Sequence, residues 1–180
     1  MRLDFIVLTL PRSGSTWLAN WLTTDRTLCL HDPFAESMPD KWPRDGRRLG
    51  ISCTGAYLMP EWLAQQRCPV AIIERDPADC AESLGADVTA LRAALDATQG
   101  RRWAFDDLWR EEPAKALWRF LLPGVPFDAL RYRLLRGMQV QPHMKKWTPN
   151  MDVIGELIAR GLLPASQGVG GCRGELSQQQ

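Results

Sequence analysis

The sequence predicts an α/β fold: a single domain with an open parallel β-sheet flanked by helices. Three observations point to it. Short, nearly continuous apolar runs such as Leu3–Leu10 and Pro69–Glu74 have the length and β-branched content of strands covered on both faces. Between the runs lie stretches whose apolar residues recur at helical spacing. The 180-residue chain, 45% apolar, contains no internal repeat and no linker, and its size suits one domain with a full core. A sheet of this kind gathers its ligands at the carboxyl ends of its strands.

Taken in order, Leu3–Leu10 is the expected central strand. A polar turn follows, and then Trp17, Leu18, Trp21 and Leu22 form one face of a helix starting near Gly14 or Ser15. Thr27–Leu30 reads as a second strand ending in His31-Asp32-Pro33-Phe34, Arg48–Cys53 as a third, and Pro60–Gln66 as a short helix. Pro69–Glu74 is the fourth and most apolar strand. Asp76-Pro77-Ala78-Asp79 then opens a helix, with Asp at the cap, Pro at the first helical position and an acid in the first turn. From about Asp87 to Leu135 the pattern is helical, with breaks expected at Gly100, Pro113 and Pro123-Gly124-Val125-Pro126. Leu117, Phe120 and Leu121 form one apolar stripe there, and Phe127, Leu130 and Leu134 another. Gly137–Val140 reads as a fifth strand, and Met151–Arg160 as a helix between an Asn150 cap and Gly161. The Gly-, Ser- and Gln-rich chain from Ser166 onward is expected to be a mobile tail, which leaves residues 1–165 as the domain.

Lys and Arg total 22 against 21 Asp and Glu, a formal charge of +1. Without a field over the whole molecule, neither a nucleic acid nor an anionic membrane is an expected partner, and any anion site must be local. The five cysteines, at 29, 53, 68, 80 and 172, form no CxxC pair and read as core thiols of a reducing compartment. The amino-terminal apolar stretch is too short to span a bilayer and leads directly into a functional-looking turn, so a cytoplasmic location is expected.

That turn, Pro11 to Trp17, joins the expected central strand to a helix. Such a junction aims unpaired backbone N–H groups and the positive end of the helix dipole at one spot, where phosphate-like groups bind. Gly14 permits close backbone approach, Ser15 and Thr16 bring hydroxyl donors, and Arg12 brings a fixed cationic fork. An isolated Ser-Gly-Ser-Thr more often caps a helix, but the preceding strand turns the reading toward an anion. The triphosphate-binding pattern GxxxxGK[ST] is not present, because no Lys follows Gly14.

Pro11-Arg12-Ser13-Gly14-Ser15-Thr16-Trp17 resembles the 5′-phosphosulfate loop of the sulfotransferase family, P-[KR]-[ST]-G-[ST]-[ST]-[WL]. Arg75-Asp76-Pro77-Ala78-Asp79-Cys80-Ala81-Glu82-Ser83 matches that family's second signature, R-[ND]-P-x-D-x-x-x-S, position for position. The resemblance implies a P-loop-type nucleotide-binding architecture and a donor, 3′-phosphoadenosine 5′-phosphosulfate (PAPS). It implies that Ser13 to Thr16 wrap the 5′-phosphate, that Arg12 contacts the bridging oxygen and sulfuryl group, and that Trp17 lies near the adenine. Arg75 and Ser83 would hold the 3′-phosphate. The implied reaction moves the sulfuryl group to a hydroxyl or amine of an unidentified acceptor, with no metal required.

Transfer also needs a base for the acceptor's proton. The family uses a His or a Glu, but Ile51-Ser52-Cys53-Thr54-Gly55 carries neither where one branch has its histidine. Other branches place a carboxylate after the strand that follows the first helix, and here Asp32 corresponds best, with His31 next and Glu36 third. Their alternative reading is a hydrogen-bonded histidine and an Asp-Pro turn. His143, near Gln141, Lys145 and Lys146, belongs to a solvated face or an acceptor groove, and Gly170-Gly171-Cys172-Arg173-Gly174 faintly echoes a late Arg-Lys-Gly segment of the family. Two other functions compete. A small-molecule or nucleotide kinase would use Glu74, the acid ending an apolar strand, to serve magnesium; a non-catalytic module would keep the nucleotide site alone.

Overall fold

The computed structural model describes residues 2–137 and 151–163. Five strands, β1 (Phe5–Thr9), β2 (Thr27–His31), β3 (Arg48–Cys53), β4 (Val70–Glu74) and β5 (Arg101–Ala104), form one sheet in the order β2-β3-β1-β4-β5. Every neighbouring pair is parallel, so the α/β expectation holds and β1 is central. The helices are α1 (Ser15–Leu22), α2 (Pro60–Ala64), α3 (Pro77–Leu84), α4 (Thr89–Asp96), α5 (Glu111–Leu121), α6 (Ala129–Gly137) and α7 (Met151–Ala159).

All five residues of β1 are buried, because helices cover both of its faces and leave it no polar side. Strand alternation divides these residues between two cores. Phe5 and Val7 join Ala71, Ile73, Trp21 and Trp118 beneath α1, α5 and α6, while Ile6 and Leu8 join Ile51, Ile72, Phe34 and Trp42 on the opposite face. Gly50 of β3 faces Phe5 in the register, and a Cβ there would sit 2.3 Å from the Phe5 ring. The position is therefore a packing requirement of the sheet.

The fifth strand differs from the expectation. It is Arg101–Ala104 at the sheet edge, paired with β4, with only Trp103 buried. Gly137, expected to begin a strand, instead ends α6, and residues 138–140 lie outside the described residues. Pro113 does not break a helix either. It lies in the first turn of α5, where the missing N–H has no helical partner to lose. Gly161, at φ +68°, closes α7 with its N–H donating to the Ile158 carbonyl at 2.9 Å. Asn150 and the chain from Ser166 lie outside the described residues. Among those described, no helix is long and apolar enough to cross a membrane.

The strand order also locates a crevice. From β1 the chain runs through α1 towards β2 on one side, and from β4 it runs through α3 and α4 to β5 on the other. α1 buries Leu18, Trp21 and Leu22 in one core and α3 buries Cys80 in the other, so the two helices leave on opposite faces. The carboxyl ends of β1 and β4 thus flank the switch point of the sheet, where open α/β sheets bind ligands.

Candidate functional site

Two of the sequence-predicted segments meet at this switch point. The turn after β1 holds Arg12 at φ 68° and Gly14 at φ 76°, both in the left-handed region. For glycine this costs little; for Arg12 it is strain of about 1–3 kcal/mol, held by the surrounding contacts. α1 starts directly after Gly14 with no side-chain cap on its amides and no acid in its first turn. Its first-turn N–H groups and dipole are therefore directed at the crevice. Ser13 is fully buried, with its Oγ 3.3 Å from Cys80 Sγ, which pins the turn to α3.

The second segment leaves β4 at Arg75. Asp76 caps α3 through its carboxylate, which accepts from the Ala78 N–H at 2.8 Å, and Pro77 takes the first position, as expected. Arg75 Nη1 donates to the Arg12 carbonyl at 2.5 Å, and Arg12 Nε donates to Ser83 Oγ at 2.9 Å. The phosphosulfate-type turn and the Arg…Ser segment, 63 to 71 residues apart in sequence, are thus hydrogen-bonded into one unit. Arg12 points to Ser83 across the crevice; its left-handed backbone aims the side chain at α3. Asp79 lies 3.8 Å from Arg75 on the exposed side.

Phe105, which no motif marks, follows β5 and completes this flank. Its N–H donates to the Glu74 carbonyl at 2.7 Å, and its ring stands 5.1 Å from the Arg75 guanidinium carbon. A Cβ on Gly14 would lie 2.9 Å from the same ring. Position 14 therefore requires glycine both for its φ and for the aromatic edge above it. Phe105 makes an edge-on contact with Trp109, which packs in turn on Trp17 at 5.3 Å. Trp17 also stacks on Trp21 at 5.1 Å and keeps its indole N–H buried without a hydrogen-bond partner.

On the other side of the turn lie the candidate bases. His31 ends β2, and its Nε2 is 3.0 Å from Ser15 Oγ, 3.1 Å from Thr16 Oγ1 and 3.2 Å from Asp32 Oδ2. Asp32 sits at φ 41°, and its Oδ1 accepts from Thr54 N–H at 2.6 Å and Thr54 Oγ1 at 3.1 Å. Ser52 of β3 donates to the Ser15 carbonyl at 2.9 Å, tying this flank to α1. Glu36 is exposed at the end of the short turn Pro33–Ala35. Beneath the flank, burial and then the Asp32 charge push the Cys53 thiol well above its ordinary range. Burial, followed by the Cys53 and Asp32 charges, does the same to the Tyr57 hydroxyl. Tyr57 Oη is buried without a hydrogen-bond partner. His143, its neighbours and Gly170–Gly174 lie outside the described residues.

Glu74, the acid on which a kinase reading would depend, is held by arginines: its Oε1 accepts from Arg102 Nη1 at 2.8 Å and lies 3.6 Å from Arg92. Among the described residues, no group of three or more His, Cys, Asp or Glu side chains could hold a metal ion. Cys29, Cys53, Cys68 and Cys80 are all free thiols, three of them buried.

No protein-family model and no curated protein sequence matches the chain. Its fold is similar to the crystal structure of the mouse sulfotransferase SULT7A1 complexed with PAP, with a TM-score of 0.52 and 16% identity. The match covers 75% of this chain and 64% of that one, so the chain spans less than two thirds of its neighbour's length. The likeness is one of fold: a single-domain α/β protein with an open parallel five-stranded sheet of the sulfotransferase type.

Proposed function

We propose that the chain transfers a sulfuryl group from 3′-phosphoadenosine 5′-phosphosulfate to a hydroxyl or amine of an acceptor. The observation that carries this reading is the hydrogen-bonded convergence of the β1–α1 turn with the Arg75–Ser83 segment at the switch point of the sheet. A turn with amide donors on one side and a guanidinium–hydroxyl pair beside it suits a nucleotide carrying separate anionic groups. The solved neighbour of the same fold is a sulfotransferase complexed with PAP, which supports the same donor class.

In this reading Ser13, Gly14, Ser15 and Thr16 hold the 5′-phosphate through the first-turn amides and the two hydroxyls. Arg75 and Ser83 take the 3′-phosphate, and Trp17 and its aromatic neighbours lie on the side of the base. When bound, the donor supplies the sulfuryl group: the sulfur–oxygen bond to its phosphate breaks as the acceptor's oxygen or nitrogen bonds to sulfur. Arg12 stabilises the charge left on the phosphate oxygen. To reach it, the Arg12 guanidinium exchanges its bond to Ser83 for the leaving oxygen. The acceptor's proton passes to the Asp32–His31 pair on the opposite flank. Residues 1–165 form the catalytic domain in this proposal.

Calorimetric titration with adenosine 3′,5′-bisphosphate tests it. Binding in the micromolar class is expected, weakened about a hundredfold or more by Arg75→Ala, because that change removes a charge-assisted contact to phosphate. No binding overturns the proposal, as does magnesium-dependent ATP binding in its place. Binding of the bisphosphate without sulfuryl transfer to any of a broad panel of alcohols, phenols, amines and sugars would instead identify a non-catalytic nucleotide module.

A further inference from the structure

One ring nitrogen of His31 faces three oxygens: Ser15 Oγ at 3.0 Å, Thr16 Oγ1 at 3.1 Å and Asp32 Oδ2 at 3.2 Å. That nitrogen presents either a hydrogen or a lone pair, and the two cases set the hydroxyls in opposite senses. Facing a lone pair, Ser15 and Thr16 turn their hydrogens toward the ring, away from any ligand. Facing an N–H, their oxygens can accept from the ring and their hydrogens are free to point into the crevice.

Asp32 chooses between these cases. An ionised carboxylate only accepts, so at 3.2 Å it repels a lone pair on Nε2 and attracts a hydrogen there. The carboxylate is itself fixed, since its other oxygen takes two hydrogen bonds from Thr54. Thr54 is the first residue beyond β3 and Asp32 the first beyond β2, and the register pairs His31 with Ser52. Two strand ends, of β2 and β3, are in this way coupled through one carboxylate, and His31 links them to the first turn of α1.

We infer that Asp32 and Thr54 are positioning residues for the anion-binding turn. They keep a hydrogen on His31 Nε2 and so leave the Ser15 and Thr16 hydroxyls free to donate to a bound anion. The inference rests on the proposed reading of that turn as an anion site, and it ties His31 to the donor side of the reaction. It carries a sign that simple electrostatics does not: removing a negative charge beside an anion site should strengthen binding, whereas disturbing the relay weakens it. Asp32→Asn separates the two. The amide keeps an oxygen for Thr54 and turns its NH2 on the ring, which imposes a lone pair on Nε2.

The chain has two histidines, so 15N–1H correlation of the imidazole nitrogens, with His143→Gln as the assignment control, reads the His31 tautomer directly in the full-length protein. Expected results are a hydrogen on Nε2 in the wild type and on Nδ1 in Asp32→Asn. In parallel, affinity for adenosine 3′,5′-bisphosphate should fall about tenfold in Asp32→Asn, as two donors turn away. Thr54→Val should fall between the two, since its backbone N–H remains, and Thr54→Ser should restore wild-type values. A wild-type ring with its hydrogen on Nδ1 alone, an unchanged tautomer in Asp32→Asn, or tighter binding by that variant overturns the inference. Because the tautomer is read without ligand, a wild-type chain that fails to bind the bisphosphate defeats the proposed function, while the relay still stands or falls on the ring nitrogens.

Discussion

The two flanks of the β1–α1 turn are built from opposite chemistry. Toward β4 stand the guanidinium groups of Arg12 and Arg75 with an aromatic ring over the glycine, and the two cations there meet a hydroxyl, a carbonyl and a π-face. Toward β2 stand a carboxylate and an imidazole held by hydroxyls and a backbone N–H, above buried thiols and a phenol. The first flank can hold negative charge and the second can take up a proton. In the proposed function the carboxyl ends of the strands would separate anion binding from proton transfer, and substitutions on the two sides should fail in different ways.

The largest expected effect breaks the cationic flank at its narrowest point. Gly14→Val drives a branched side chain into the Phe105 ring from a left-handed backbone, and calorimetry should show bisphosphate binding reduced beyond a hundredfold. Adding Phe105→Ala should relieve the steric part and leave the backbone part, so partial recovery is expected from Gly14→Ala/Phe105→Ala relative to Gly14→Ala. Next in size, Ser83→Ala removes one exposed hydroxyl. It should weaken adenosine 3′,5′-bisphosphate by about tenfold or less and leave adenosine 5′-monophosphate unchanged. Equal losses for both ligands would remove Ser83 from any 3′-phosphate site.

The free thiols, Cys53 beneath the second flank among them, respond to pH. Cys68 is raised to about 11 and Cys29 and Cys53 further, all chiefly by burial, from an ordinary value of 9.0. The folded chain therefore holds these protons above pH 9 while the unfolded chain releases them. Stability is fully present below pH 9 and is lost as pH rises through the folded values. Thermal unfolding should show Tm constant from pH 7 to 8.5 and falling progressively above pH 9, with less of the fall in Cys53→Ala. The smallest effect belongs to Tyr57→Phe, which deletes a buried hydroxyl that has no hydrogen-bond partner. Stability should stay within about 1 kcal/mol of wild type or rise slightly in denaturant titrations.

The cationic flank was the more legible of the two because its groups lie in contiguous runs. Residues 11–17 and 75–83 each carry a complete local pattern on a strand–turn–helix frame, and β3 has the bounds its apolar run suggested. What escaped was set by contacts distant in sequence. β5 is exposed except at Trp103, because an edge strand buries little, and its hydrogen bonds to β4 place it rather than any periodicity of its own. Phe105 owes its position to that strand. Thr54 stands in a stretch that lacks the family's acid or histidine, while its value lies in a hydroxyl and an N–H at a strand end beside Asp32. Pro113 suggested a break because local sequence does not show that α5 begins two residues before it.

Trp17 and Trp21 stack with ring centroids 5.1 Å apart and planes 23° from parallel, in the first turns of the helix that begins at the β1–α1 turn. Indoles this close couple their electronic transitions, and with Trp109 packed on Trp17 and Trp118 on Trp21 the circular dichroism expected of the indole bands depends on the geometry of that first turn. Any compound that grips the turn tightly enough to shift Trp17 registers in this intrinsic signal, and the native polypeptide becomes its own optical sensor for whatever occupies the crevice.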